Sequence, residues 1–219
     1  AVITLIAVFV LVMMIMPEMA RAMTKNQAAA EKKILRDLVN HDSVIDVSGY
    51  ELTPDELVEV THDIYYQHPE AFFLDTFRYT MRDGMAYKCR PIYTMSKAAA
   101  VSGQKKMNRI AKKCRVRKAS KAKKIKKIHD WLIRRTSFNR SVNNKQRYNA
   151  YGALVNRKAV CMGYAMAFKM IAEKNRIECQ VVMNLRGTHA WNVVKIGNKW
   201  YNVDVTQDDM GRKASKKKL

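Results

Sequence analysis

A chain of 219 residues, 48% of them hydrophobic, with four prolines and eight glycines, can bury one sizeable core, or one domain with a small accessory part. Its net charge of +22 directs it to anionic surroundings: cell-wall polymer, acidic lipid, acidic protein or nucleic acid. Its four cysteines, Cys89, Cys114, Cys161 and Cys179, form no CxxC pair and have no zinc-ligand spacing, which leaves out a zinc module.

Residues 1–16, AVITLIAVFVLVMMIM, carry no charge and one polar residue, Thr4, before Pro17 ends the run. Ala20-Arg21-Ala22 then has the small-x-small form of a signal-peptidase site. Sixteen residues fall short of the roughly 20 that cross a bilayer. A cleaved signal peptide is the first reading of residues 1–22, an uncleaved membrane anchor the second and a buried helix the third. The first two place the protein outside the cytoplasm, secreted or held at the cell surface.

Residues 23–98 read as a small α/β accessory region. Over 27–39 the spacing of Ile34, Leu35 and Leu38 predicts a helix face. IDVSGY predicts a short strand running into a turn. Thr53-Pro54-Asp55-Glu56 combines a capping residue, a proline at the first helical position and a capping-box glutamate. That helix turns Leu57, Val60, Thr61 and Ile64 inward and must stop before Pro69. FRYTMRDGMAYKCRPIY alternates on both sides of Asp83-Gly84, which predicts a β-hairpin.

The second unit spans residues 99–210 and opens with a basic helix. Between 105 and 127 there are thirteen Lys or Arg and no acid, with Ile125, Ile128 and Leu132 at helical spacing. The plain expectation is a solvated amphipathic helix; a docking face for anionic wall polymer or acidic lipid is the sharper one. No aromatic residue interrupts the run, which argues against single-stranded nucleic acid. Residues 211–219, within the basic stretch GRKASKKKL, form a basic tail.

From Cys161 onward the pattern is helical, with Ala165, Phe168, Ile171 and Ala172 on one face and Lys169, Glu173 and Lys174 on the other. Cys161 therefore sits at a helix start, where unbonded N–H groups and the dipole favour a thiolate. Such a cysteine is inert unless the chain supplies a base. THAWNVVKIGNKWYNVDVTQDD, residues 188–209, alternates on both sides of Gly197-Asn198. If Ile196 pairs with Lys199, parity puts His189 and Asp204 on one face as diagonal neighbours. The carboxylate can then orient the imidazole. A slip of one residue would separate them.

LVNRKAVCMGYA followed by THAWNVVKIGNKWYNVDVTQDD resembles the transglutaminase-like superfamily of Cys-His-Asp enzymes, especially its bacterial secreted or surface-attached members. Cys161 matches the cysteine of the VCxGYA box, His189 the histidine of HAWN and Asp204 the aspartate of the VDVT segment. KIHDWLIRRTSFN, residues 127–139, resembles the helix that precedes the cysteine. The resemblance implies an α+β fold with a papain-like, transglutaminase-like core, in which the cysteine helix packs on an antiparallel sheet bearing the histidine and the acid.

It also implies acyl transfer at peptide or protein amides through an acyl-enzyme, as a peptidase or cross-linker, with Tyr164 and Trp191 as candidate substrate contacts. No metal and no organic cofactor is needed for that chemistry. The alternative is a non-catalytic surface module of the same fold that binds an anionic polymer or a protein partner through its basic helix. The sequence departs from the family pattern twice. Arg157 stands where a glycine is usual, and Gln207 where a tryptophan is usual. His129-Asp130 is a lone pair with no further metal ligands at suitable spacing and reads as structural, whereas His62 and His68 flank a helix end and read as exposed.

Overall fold

The computed structural model describes residues 23–141 and 144–209. The leader-like segment 1–22 and the tail 211–219 lie outside the described residues. Among the described residues no helix is long and apolar enough to cross a membrane.

Helix α1 (Lys25–Asn40) starts at a capping box: Thr24 Oγ1 accepts the Gln27 N–H, and the Thr24 N–H donates to Gln27 Oε1 at 2.8 Å. It buries Ala30, Ile34 and Leu38, with Leu35 half-buried at the edge. Strand β1 (Ile45–Asp46) leads into a 3-10 turn at Ser48–Tyr50. Helix α2 (Pro54–Gln67) opens on the expected Thr53–Glu56 box, buries the four expected residues and stops two residues before Pro69. Strands β2 (Leu74–Arg82) and β3 (Met85–Tyr93) form the hairpin. Asp83 (φ 51°) and Gly84 (φ 77°) both adopt the left-handed conformation, as a type I′ turn requires. Strand β1 joins the far edge of β3, giving the order β1-β3-β2.

The basic stretch is two helices rather than the single one expected. Helix α3 (Lys97–Lys113) ends at buried Cys114, and α4 (Lys121–Arg135) begins anew from Ser120, whose hydroxyl accepts the Lys123 N–H. The break is held from outside the segment. Asn175, at the end of the next helix, accepts the Val116 N–H at 2.8 Å and donates to the Cys114 carbonyl. Lys118 in the gap is left-handed at φ 50°. Of the thirteen basic residues between 105 and 127, only Lys126 is in an ion pair among the described residues, with Asp130 at 2.7 Å.

Helix α5 (Cys161–Lys174) is the centre of the molecule. Residues Met162 through Ala172 are all buried, so its sequence amphipathicity does not mark a solvent face. Helices α3 and α4 pack on it, and so does the antiparallel sheet β6 (Cys179–Met183), β7 (Ala190–Ile196) and β8 (Lys199–Val203). Lys169, expected on a polar face, is buried instead: its ammonium donates to the Cys179 carbonyl at 2.7 Å and pairs with Glu173 at 2.9 Å. Both contacts compensate a charge that would otherwise be expensive to bury.

Packing is continuous across residue 98. The Gln67 side chain donates to Val181 O at 2.7 Å and accepts Val181 N at 3.0 Å, pairing with the edge of β6 as a neighbouring strand would. Phe72 stacks on Tyr151, ring centres 5.5 Å apart, and Asn149 donates to the Phe72 carbonyl. One apolar core therefore runs from Ala30 to Val205.

Candidate active site

Cys161 is the first residue of α5, following Val160 in extended conformation. Among the described residues no side chain caps this helix, and no acid occupies its first turn. The first-turn N–H groups are therefore available to an anion beside the thiol. The approach to Cys161 is irregular. Strand β4 (Ser137–Phe138) pairs in parallel with β5 (Lys158–Ala159), a 3-10 turn covers Lys145–Tyr148, and a π-helix covers Gly152–Asn156. Two glycines let these segments close, Gly163 between the 3-10 turn and the helix and Gly152 between the π-helix and the 3-10 turn. A Cβ on Gly163 would lie 2.5 Å from the Arg147 carbonyl oxygen, and one on Gly152 would lie 2.1 Å from that of Gln146. The glycine of the VCxGYA box is thus fixed by backbone approach. Arg157 ends the π-helix at φ 57°, ψ 24°, the left-handed region that a glycine enters without strain. Its side chain is exposed.

Across the cleft, β7 and β8 pair as Ile196↔Lys199, the register that the alternation predicts. His189 immediately precedes β7 and Asp204 immediately follows β8. The His189 Nε2–H donates to Asp204 Oδ2 at 2.6 Å. The other oxygen, Oδ1, accepts the Gln207 N–H at 3.0 Å, so Asp204 also caps a helical turn over 205–209. The carboxylate is held at both oxygens. Gln207 contributes its backbone and points its side chain to solvent, so the tryptophan usual there is not needed for the cap.

A neutral ring that donates from Nε2 keeps its lone pair at Nδ1. That nitrogen has no hydrogen-bond partner among the described residues, Cys161 included. Trp191 stacks on the His189 ring with centres 5.8 Å apart and donates to Asn202 Oδ1 at 2.9 Å. The loop before the histidine is folded around Asn184, whose Oδ1 accepts the N–H groups of Thr188 and His189. Asn192, buried on the opposite face, donates to the Ala165 carbonyl of α5 at 3.0 Å and ties the strand to the cysteine helix.

Cys161 and His189 line one cleft of about 550 Å³. Tyr65 and Tyr66 from α2, Phe138, Arg140, Arg147 and Tyr148 supply six of its thirteen other lining residues. These residues carry no sequence signal, because segments far apart in the chain bring them together. One sequence expectation needs correction. Tyr164 is not on the cleft; it is 1% exposed and donates to buried Asp209 at 2.8 Å, because its helix is enclosed on all sides. Trp191, half-buried, stacks on the histidine ring at the side of the cleft.

The four cysteines are all free thiols. Burial pushes Cys89 up to about 12, Cys114 to about 11 and Cys179 to about 12, so none of the three ionises readily. Cys161 is half-buried and opens on the cleft.

Glu31, Asp63 and His68 bring ligand atoms within 4.8 Å of one another, close enough to hold a cation. The His68 nitrogens already bond Glu31 at 3.0 Å and Glu70 at 2.9 Å, which links α1 to the end of α2. Burial acts to lower His68, but its bonds to Glu31 and Glu70 outweigh that and raise it to about 9. Burial, and then neighbouring Glu31, push Asp63 up to about 6. His129 has a similar fastening role, bonding Asp130 at 3.0 Å and Asp208 at 2.8 Å to hold the 205–209 turn on α4.

Residues 108–205 match the Transglutaminase-like superfamily. A TGase crystal structure is similar at 14% identity and TM-score 0.43, over 61% of this chain and 44% of that one. A protein from Cytophaga hutchinsonii, provisionally assigned as a cysteine protease, is similar at 14% identity and TM-score 0.38, over 56% and 52%. The chain thus spans about half the length of these structures, or less. No curated protein matches it. The cysteine-bearing helix, the antiparallel sheet, and the His189 and Asp204 that flank it all lie within residues 108–205, so the span that matches the transglutaminase-like superfamily contains all three candidate catalytic residues.

Proposed function

We propose that the protein is a thiol enzyme that transfers acyl groups from peptide or protein amides through Cys161, His189 and Asp204. The observation that carries this reading is the His189–Asp204 bond of 2.6 Å, which leaves Nδ1 as the basic nitrogen in the cleft that Cys161 also lines. Asp204 fixes the tautomer and stabilises the imidazolium. His189 Nδ1 takes the thiol proton, and the sulfur attacks the amide carbonyl. The Cys161 N–H, at the uncapped helix start, donates to the oxyanion. Nδ1–H then protonates the leaving amine, leaving a thioester on Cys161. Water gives hydrolysis and a second amine gives cross-linking, both through this thioester. The leader-like residues 1–22 support an extracytoplasmic site of action.

Alkylation by iodoacetamide, mapped by peptide mass spectrometry on the folded protein, tests the assignment. Cys161 is expected to react at least tenfold faster than Cys89, Cys114 or Cys179, and His189→Ala to remove most of that advantage. Equal rates at all four thiols, or indifference to His189→Ala, would sink the proposal.

A further inference from the structure

The cleft also has a chemical sign. Its lining includes Arg140 and Arg147 and, among the described residues, no Asp or Glu; Asp204 stands behind His189 rather than on the wall. The guanidinium of Arg140 is 5.5 Å above the Phe138 ring, and the residue is exposed and in no ion pair among the described residues. Its backbone is held in place: Arg147 Nη1 donates to the Arg140 carbonyl at 2.7 Å, and the Asn139 side chain accepts the Ser141 N–H at 2.8 Å. Arg147 is itself oriented, bonding the Tyr148 hydroxyl at 2.7 Å with its guanidinium 4.7 Å from that ring. The Arg147 carbonyl accepts the Val160 N–H at 3.1 Å, next to Cys161. The arginine rim and the thiol therefore sit on one connected piece of backbone.

A planar guanidinium backed by an aromatic ring and facing no carboxylate of its own suits a carboxylate from outside. A walled cleft strengthens that preference, because the charge is less screened there than on an open surface. Resting on the acyl-transfer reading above, we infer that the cleft selects acyl donors carrying a carboxylate beside the scissile amide, with Arg140 as the specificity-determining residue and Arg147 as its positioning partner. An acidic side chain or a terminal carboxylate would present the same group.

The test compares two alkylating agents of similar size at Cys161, anionic iodoacetate and neutral iodoacetamide. Their rate ratio cancels changes in the thiol itself. Arg140→Gln should lower the iodoacetate-to-iodoacetamide ratio about threefold to tenfold, and salt should lower it in the native protein. Arg78→Gln with Arg90→Gln, a cross-strand pair on the first hairpin, removes more charge away from the cleft and should move the ratio less than about twofold. If Arg140→Gln changes it no more than that control, the inference is overturned while rapid iodoacetamide labelling leaves the acyl-transfer reading standing. Slow iodoacetamide labelling of Cys161 would remove both.

Protection against iodoacetamide separates the two sources of carboxylate. One peptide carries an internal glutamate and blocked ends, and another carries apolar side chains and a free C-terminus. Protection by either that Arg140→Gln abolishes supports the inference and names the source. Protection no better than that of a blocked apolar peptide contradicts it.

Discussion

The two sides of the cleft are built by opposite means. On one side, residues 190–203 form a regular antiparallel hairpin, and His189 and Asp204 at its two ends are held by side-chain hydrogen bonds. Asp204 bonds His189 and caps the turn after it, while Asn184 folds the loop before it. On the other side, residues 137–161 contain two-residue strands, a 3-10 turn and a π-helix, held by close backbone approach at Gly152 and Gly163. In the proposed reaction the regular side orients the base. The irregular side delivers the thiol, the helix N-terminus and both arginines to one place. A loss of hydrogen bonds should therefore damage the first side locally, whereas a small added volume should damage the second as a whole.

Gly163→Ala is the strongest way to break that contrast. Its Cβ meets the Arg147 carbonyl oxygen at 2.5 Å and the Ala159 Cβ at 2.8 Å, so backbone must move. A net loss of about 2 kcal/mol is expected in urea unfolding, even though alanine is the better helix former. Unchanged stability would show that the irregular side yields easily, against this account. Arg157→Gly is the smallest effect and has the opposite sign. Relief of the left-handed strain, partly offset by the extra freedom of glycine in the unfolded chain, should stabilise by about 0.5 kcal/mol. A loss of more than about 1 kcal/mol would mean that the exposed arginine side chain has a partner that strain alone does not explain.

The same contrast explains what could be read in the chain. Strand alternation is local, so the Ile196↔Lys199 register, and with it the His189–Asp204 meeting, followed from period and turn alone. The Thr53–Glu56 cap and the Asp83-Gly84 hairpin were legible for the same reason. Tyr65, Tyr66, Phe138, Arg140 and Tyr148 were not, because nothing in their own segments shows that α2 and the 138–148 stretch converge on Cys161. Tyr164 misled because its position beside the motif glycine suggests a cleft, while full enclosure of α5 turns it into the core. The division of the basic stretch into α3 and α4 depends on Asn175, about 60 residues downstream, and no local rule reaches it.

Asp204 as an orienting acid is the central claim, and acylation by p-nitrophenyl acetate measures it directly. The native protein should release p-nitrophenol in a burst and gain one acetyl group, mapped to Cys161. Asp204→Asn should slow that burst by about 100-fold or more while preserving the fold, because the amide keeps the cap over Gln207 but no longer fixes the base tautomer. A burst in Asp204→Asn as fast as in the native protein, or an acetyl group on any other residue, would contradict the account.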